Sequence, residues 1–101
     1  MLKSNSNHGF HMTFKNGLTI SVQFEKGNYC DRRTFNVREI LAQENESVES
    51  KNAEIAIWDK NGVWFNFKSD IVKGWIDADE IAIWIDKVKR AKNLKSIKRI
   101  K

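Results

Sequence analysis

From Phe10 onward the chain alternates. Phe10, Met12 and Phe14 fall on one side of an extended backbone and His11 and Thr13 on the other; Leu18, Ile20, Val22 and Phe24 then alternate with Thr19, Ser21 and Gln23. Successive side chains of a strand leave opposite faces, so a period of two marks two half-buried strands. Lys15-Asn16-Gly17 separates them, and the same tripeptide recurs as Lys60-Asn61-Gly62 between "AEIAIWD" and "VWFNF". A two-residue Asn-Gly loop would pair Phe14 with Thr19 and send the two apolar rows to opposite faces. A three-residue loop pairs Phe14 with Leu18, Met12 with Ile20 and Phe10 with Val22, which keeps one apolar face. Such loops use a type I turn followed by a left-handed residue, a conformation glycine adopts without a Cβ penalty. The same register in the second copy sets Asp59 opposite Val63, Ile57 opposite Phe65 and Ile55 opposite Phe67. Trp58 then faces Trp64 on the other side of the sheet, and Glu54 faces Lys68. The flanks differ too much for an internal repeat, so the tripeptide reads as shared turn chemistry.

Other segments are marked by different signals. Residues 1–9, with Ser4, Asn5, Ser6, Asn7 and Gly9, read as a mobile lead-in. Gly27-Asn28 marks a turn, Asn36 to Ala42 fits a short helix or a strand, and the polar stretch 43–52 reads as an exposed loop. Val72 to Ile76 fits an edge strand with Gly74 as a bulge or bend. Asp77 followed by Glu80 has the form of a capping box opening a helix. Ile81, Trp84, Ile85 and Val88 then fall at i, i+3, i+4 and i+7, a stripe for packing on the sheet. Each such side chain, once buried, is worth about 1.5–3 kcal/mol before entropy is subtracted. Continuing the stripe would place Lys92 and Lys95 against the core, so the helix is expected either to run past the edge of the sheet or to end near Ala91, with a basic tail free of the core. The predicted fold is α+β: an antiparallel sheet of four to five strands, built on two hairpins, with one C-terminal helix on a face. The predicted organisation is a lead-in at 1–9, one domain at 10–91 and a basic tail at 92–101.

Composition narrows the classes. With 101 residues, 41% hydrophobic and no proline, the chain is expected to form one folded domain with a single core. The net charge of +5 is unevenly spread: up to Asp86 there are ten basic and thirteen acidic side chains, and from Lys87 on there are eight basic and none acidic. A mildly acidic body with a basic end can approach phosphates or an acidic partner, or serve solubility. No apolar run reaches the roughly 18 residues of a membrane span, and "MLKSNSNHGF" lacks the apolar middle of a secretion signal, so a cytoplasmic protein without membrane contact is expected. Cys30 is the only cysteine, which excludes an intramolecular disulfide.

Candidate chemistry is sparse. His8, His11 and Cys30 make a weak signal for a tetrahedral metal site, and a Cys30 nucleophile activated by His11 is geometrically conceivable, although a free cysteine is more often a small buried hydrophobe. No phosphate-cradling glycine loop, nucleophile elbow or distinctive carboxylate pair is present. A non-enzymatic protein without cofactor or metal is expected. Binding residues are easier to nominate. Trp58 and Trp64 either sit under a second small core formed with residues 34–42 and Trp75 or make an exposed aromatic patch suited to a partner. Tyr29, Arg32 and Arg33 combine an aromatic ring with two guanidinium groups, a set that binds phosphate, stacks a base or anchors a protein, or forms surface ion pairs only. Lys89, Arg90, Lys92 and Lys95 add electrostatic steering.

The stretches "GFHMTFKNGLTISVQFEKGNYCDRR", "AEIAIWDKNGVWFNF" and "VKGWIDADEIAIWI" together resemble small uncharacterised proteins encoded by bacteriophages and other mobile elements. The resemblance covers most of residues 9–86, and its most specific part runs from Gly9 to Cys30. No activity is assigned to that group, so it transfers no functional residue. It implies a context, a bacterial host cell, in which small accessory phage proteins without catalytic motifs are frequently inhibitors of host defence, anti-CRISPR proteins among them. The expected partner is then a host defence protein or ribonucleoprotein complex, occluded by Trp58, Trp64, Tyr29, Arg32 and Arg33. Two alternatives stand beside it: nucleic-acid binding through the basic tail, and a small signalling nucleotide held by Tyr29, Arg32 and Arg33.

Overall fold

A computed structural model of the chain describes residues 1–4, 8–41 and 48–100. The first hairpin forms in the register its apolar rows require. Strands β2 (Gly9–Thr13) and β3 (Thr19–Gln23) pair Phe10 with Val22 and Met12 with Ile20. The Phe14 amide donates to Leu18 O at 2.9 Å, the Gly17 amide donates to Phe14 O at 3.0 Å, and Gly17 takes the left-handed φ of +86°. On the opposite face the Thr13 and Thr19 hydroxyls meet at 2.8 Å.

A strand precedes this hairpin where a mobile lead-in was expected. Residues Leu2–Ser4 form β1 and pair antiparallel with β2, Leu2 opposite Met12 and Ser4 opposite Phe10. The Met1 ammonium donates to Thr13 O at 2.7 Å and the Thr13 amide to Met1 O at 2.8 Å. The bonds are backbone bonds to the open edge of β2, and they require no apolar pattern in the residues that make them. Asn5 to Asn7, the middle of the expected lead-in, lie outside the described residues.

Strand β4 (Asn52–Trp58) lies between β3 and β5 (Lys73–Asp77), completing an antiparallel sheet of order β1-β2-β3-β4-β5. The second Lys-Asn-Gly turn also closes as expected. Asp59 N donates to Val63 O at 2.9 Å, Gly62 N to Asp59 O at 3.1 Å and Phe65 N to Ile57 O at 2.8 Å, with Gly62 at φ +80°. The returning strand then leaves. The expected pairs Ile55–Phe67 and Glu54–Lys68 do not form: Ile55 pairs with Lys73 of β5, Phe67 N bonds Asp70 O at 2.8 Å, and Lys68 turns at φ +100°. One flank of β4 accommodates one partner strand, and β5 takes it. Phe67 gains instead a place against Phe65 and Trp84, with ring centroids 4.9 and 5.2 Å away.

The ambiguous segment becomes a short helix, α1 (Val37–Leu41), with Asn36 Oδ1 accepting from the Arg38 and Glu39 amides at 2.9 and 3.3 Å. Of the polar stretch after it, 43–47 fall outside the described residues, 48–51 carry no helix or strand, and Asn52 already opens β4. Helix α2 (Ala78–Arg90) starts where Asp77 Oδ1 accepts from Glu80 N at 2.9 Å. Its stripe faces the sheet: Trp84 and Val88 are buried, with Ile81 and Ile85 packed beside them against Ile20, Ile55 and Ile57. Among the described residues no helix is long and apolar enough to cross a membrane.

The segment after α2 is not free. Of the two expected endings the helix takes the second, stopping at Arg90, but a 3-10 turn at Leu94–Ser96, capped reciprocally by Asn93 and Ser96, folds the chain back. Ile97 joins the core, Leu94 and Ile100 pack on it, and Arg99 donates to Asn66 O at 2.8 Å. Three apolar residues spaced by three, interleaved with lysines, suffice for this docking. The domain therefore includes the tail through residue 100.

Candidate functional site

Helix α2 covers one face of the sheet. On the other, Thr19, Ser21 and Ala56 carry small side chains, bounded by His11, Trp58 and Trp64. The hydrogen bonds on either side of Trp58 and Trp64 make them a non-hydrogen-bonded pair, the arrangement in which facing side chains come closest. Their rings lie 4.8 Å apart at 32°, and His11 meets Trp58 edge-on at 4.9 Å and 86°. The residues between these rings are buried although two are polar, Thr19 at 7% and Ser21 at 5% exposed. Trp58 is half-buried, Trp64 stays 42% exposed, and Val63 beside it is exposed as well. Burial, and secondarily the charge of Lys3, holds the His11 pKa below the usual histidine value. The alternative of a second core joining these tryptophans to Trp75 is not what forms, because Trp75 stacks on Tyr29 instead, 5.4 Å between rings.

Residues 25–33 are fastened to β4. The Glu54 carboxylate accepts from Asn28 Nδ2 at 3.3 Å and from the Tyr29 amide at 2.9 Å, and Asn52 Oδ1 accepts from the Asp31 amide at 2.7 Å. Asn28 Oδ1 accepts from the Glu25 amide at 2.8 Å, and the buried Cys30 Sγ lies 3.5 Å from Glu25 O. The structure therefore separates Cys30 from His11, which sits by Trp58. It also separates the two arginines. Arg32 is a structural pin: only 13% exposed, it donates to Phe24 O at 2.9 Å and to Glu25 Oε1 at 3.2 Å, beside the His8–Glu25 hydrogen bond. Its guanidinium is thus engaged within the fold, where the sequence made it an expected partner contact. Arg33 is at the surface, its guanidinium 4.4 Å from the Tyr29 ring centre and 5.1 Å from that of Phe35. Tyr29 and Arg33 thus come together as expected, joined by Phe35, two positions further on, and by Trp75, whose part was not visible in sequence because it lies 42 positions beyond Arg33.

The basic residues are organised by a contact that the sequence did not reveal. The Asn16 side-chain Nδ2 donates to Val88 O and Ala91 O, both at 2.8 Å, and reaches Lys89 O at 3.4 Å, so the first turn satisfies carbonyls left over at the end of α2. Gly17 of that turn lies against the Lys60 side chain of the second. These contacts bring together the segments that carry Lys15, Lys60, Lys89 and Lys92. Arg90 is paired with Asp86 at 2.9 Å, and Lys95 lies apart on the 3-10 turn. Among the described residues no group of three His, Cys, Asp or Glu side chains is placed to hold a metal ion. No known protein family, curated protein or solved structure matches the chain.

Proposed function

We propose that the protein is a non-enzymatic binding protein that acts by covering a surface of a macromolecular partner. The observation that carries this reading is the Trp58–Trp64 stack, with Trp64 42% exposed on the face of the sheet opposite α2. An indole packed against a second indole presents rigid apolar area at little entropic cost, the property that concentrates binding energy in interface tryptophans. The resemblance of the sequence to small phage-encoded proteins suggests the partner class, a host defence protein or ribonucleoprotein complex such as a CRISPR-Cas effector, which the protein would inhibit by occlusion. Tagged protein is passed through a bacterial lysate with and without nuclease, and the bound material is compared for the wild type and Trp64→Ala. The expected result is a nuclease-resistant, near-stoichiometric partner that Trp64→Ala loses while remaining folded with a cooperative melting transition. Recovery of nuclease-sensitive material alone would overturn the reading.

The meeting of the segments that carry Lys15, Lys60, Lys89 and Lys92 favours a second reading, nucleic-acid binding through this part of the fold. It predicts affinity that falls linearly with salt on a double-logarithmic scale, and a shallower slope when two of these lysines are replaced by glutamine.

A further inference from the structure

Trp75 combines two features that folding alone does not favour. Its φ is +52°, a left-handed value that L residues with large side chains rarely adopt, and its indole is 56% exposed. The cause is a bulge in β5. Ala53 pairs with Ile76 and Ile55 with Lys73, so Gly74 and Trp75 together oppose Glu54. The Trp75 amide leaves the ladder and donates to Tyr29 O at 2.8 Å. Gly74 permits this approach: a Cβ there would fall 2.4 Å from Tyr29 Cβ and 2.8 Å from Tyr29 O. The bulge thus sets a strained, exposed tryptophan beside Tyr29, and backbone strain of this kind is characteristic of ligand-binding sites.

The surroundings specify a ligand. Trp75, Tyr29, Arg33, Phe35 and Asp31 line an open cleft of about 550 Å³, within the range of small-molecule sites. Two rings lie in a tilted stack, and Arg33 sits over Tyr29 and Phe35. One Arg33 nitrogen, Nη1, donates to Gly27 O at 2.8 Å, and among the described residues Arg33 has no carboxylate partner, which leaves N–H groups for an outside anion. Asp31, whose amide is held by Asn52, brings a carboxylate able to accept from a hydroxyl or an amino group. A flat π-system, an anion and a hydrogen-bond donor together describe a nucleoside phosphate. We propose that this cleft binds one, with the base stacked on Trp75 and Tyr29, the phosphate on Arg33 and a ribose hydroxyl or base amine on Asp31.

The test follows tryptophan fluorescence during titration with AMP, GMP, CMP and UMP, and in parallel with a mixed-sequence single-stranded 12-mer, at low salt. Saturable quenching by at least one mononucleotide is expected if the ligand is free, and by the 12-mer alone if the nucleoside phosphate belongs to a strand. Arg33→Gln should weaken binding about tenfold or more, in line with the loss of a charge-assisted contact. Trp75→Gly carries the sharper prediction. Glycine relieves the left-handed strain, so the melting temperature should hold or rise while binding, read by titration calorimetry because this variant lacks the reporter indole, falls by about tenfold or more through the lost stack. Absence of quenching by every probe up to millimolar concentration would overturn the proposal. So would wild-type affinity in either variant, because binding would then lie elsewhere.

Discussion

The two Lys-Asn-Gly turns are chemically alike and structurally unequal. Both close three-residue loops with a left-handed glycine, Gly17 at φ +86° and Gly62 at φ +80°. The first continues into a full antiparallel pair, and its asparagine reaches across to the end of α2. The second keeps a single bridge, Trp58–Trp64, before β5 replaces the returning strand. Its Asn61 side chain is exposed and makes no hydrogen bond to the described residues, while Asp59 Oδ1 organises the loop by accepting from the Asn61 and Val63 amides at 2.8 and 2.9 Å. A turn motif therefore determines how the chain reverses, whereas its neighbours determine what else its side chains do.

The largest expected effect tests whether the short second hairpin depends on one ring. Phe65 is buried and touches Phe67 and Trp84, so Phe65→Ala should cost about 3–5 kcal/mol in urea unfolding. Next is Asn16→Ala, which strands carbonyls at the end of α2. A loss of about 1–3 kcal/mol is expected, against a change within about 0.5 kcal/mol for Asn61→Ala. Equal costs at the two asparagines would show that the cap contributes nothing beyond the turn. Gly17→Ala and Gly62→Ala should be matched at about 1–2 kcal/mol each, since the left-handed cost is local and neither new Cβ meets an atom closer than 3.6 Å.

The smallest effect concerns the link between the hairpins, His11 of the first against Trp58 of the second. The folded state lowers the His11 pKa, so between that value and the unfolded value near 6.5 the unfolded chain binds more protons. This contribution to stability is complete above that window and declines as the pH falls through it. Melting temperature should therefore drop slightly from pH 8 to pH 5, and His11→Gln should remove that part of the slope.

Much of the fold was legible because its signals are local. Period-two alternation and turn chemistry specify the first hairpin to the register, and Asp77, Glu80 and the stripe ending at Val88 specify α2. The candidate site was half legible. Tyr29 and Arg33 stood out because an aromatic and a cation lie close in sequence, while Arg32 looked equivalent to Arg33 until burial beside Glu25 and His8 distinguished them. Trp75 and Phe35 joined the site only through the bulge and the fastened loop.

By itself, then, the sequence determined where the chain reverses, which faces are apolar and where the long helix starts, since each depends on residues a few positions apart. Tertiary structure alone decided the remainder: β1 on the open edge of β2, β5 in place of the second hairpin's returning strand, the tail folded onto the core through Ile97, and Asn16 as the cap of α2. Each is a competition for an unfilled backbone edge, an exposed apolar surface or a set of leftover carbonyls. Its outcome depends on what else is nearby in space, and no short window of sequence contains that information.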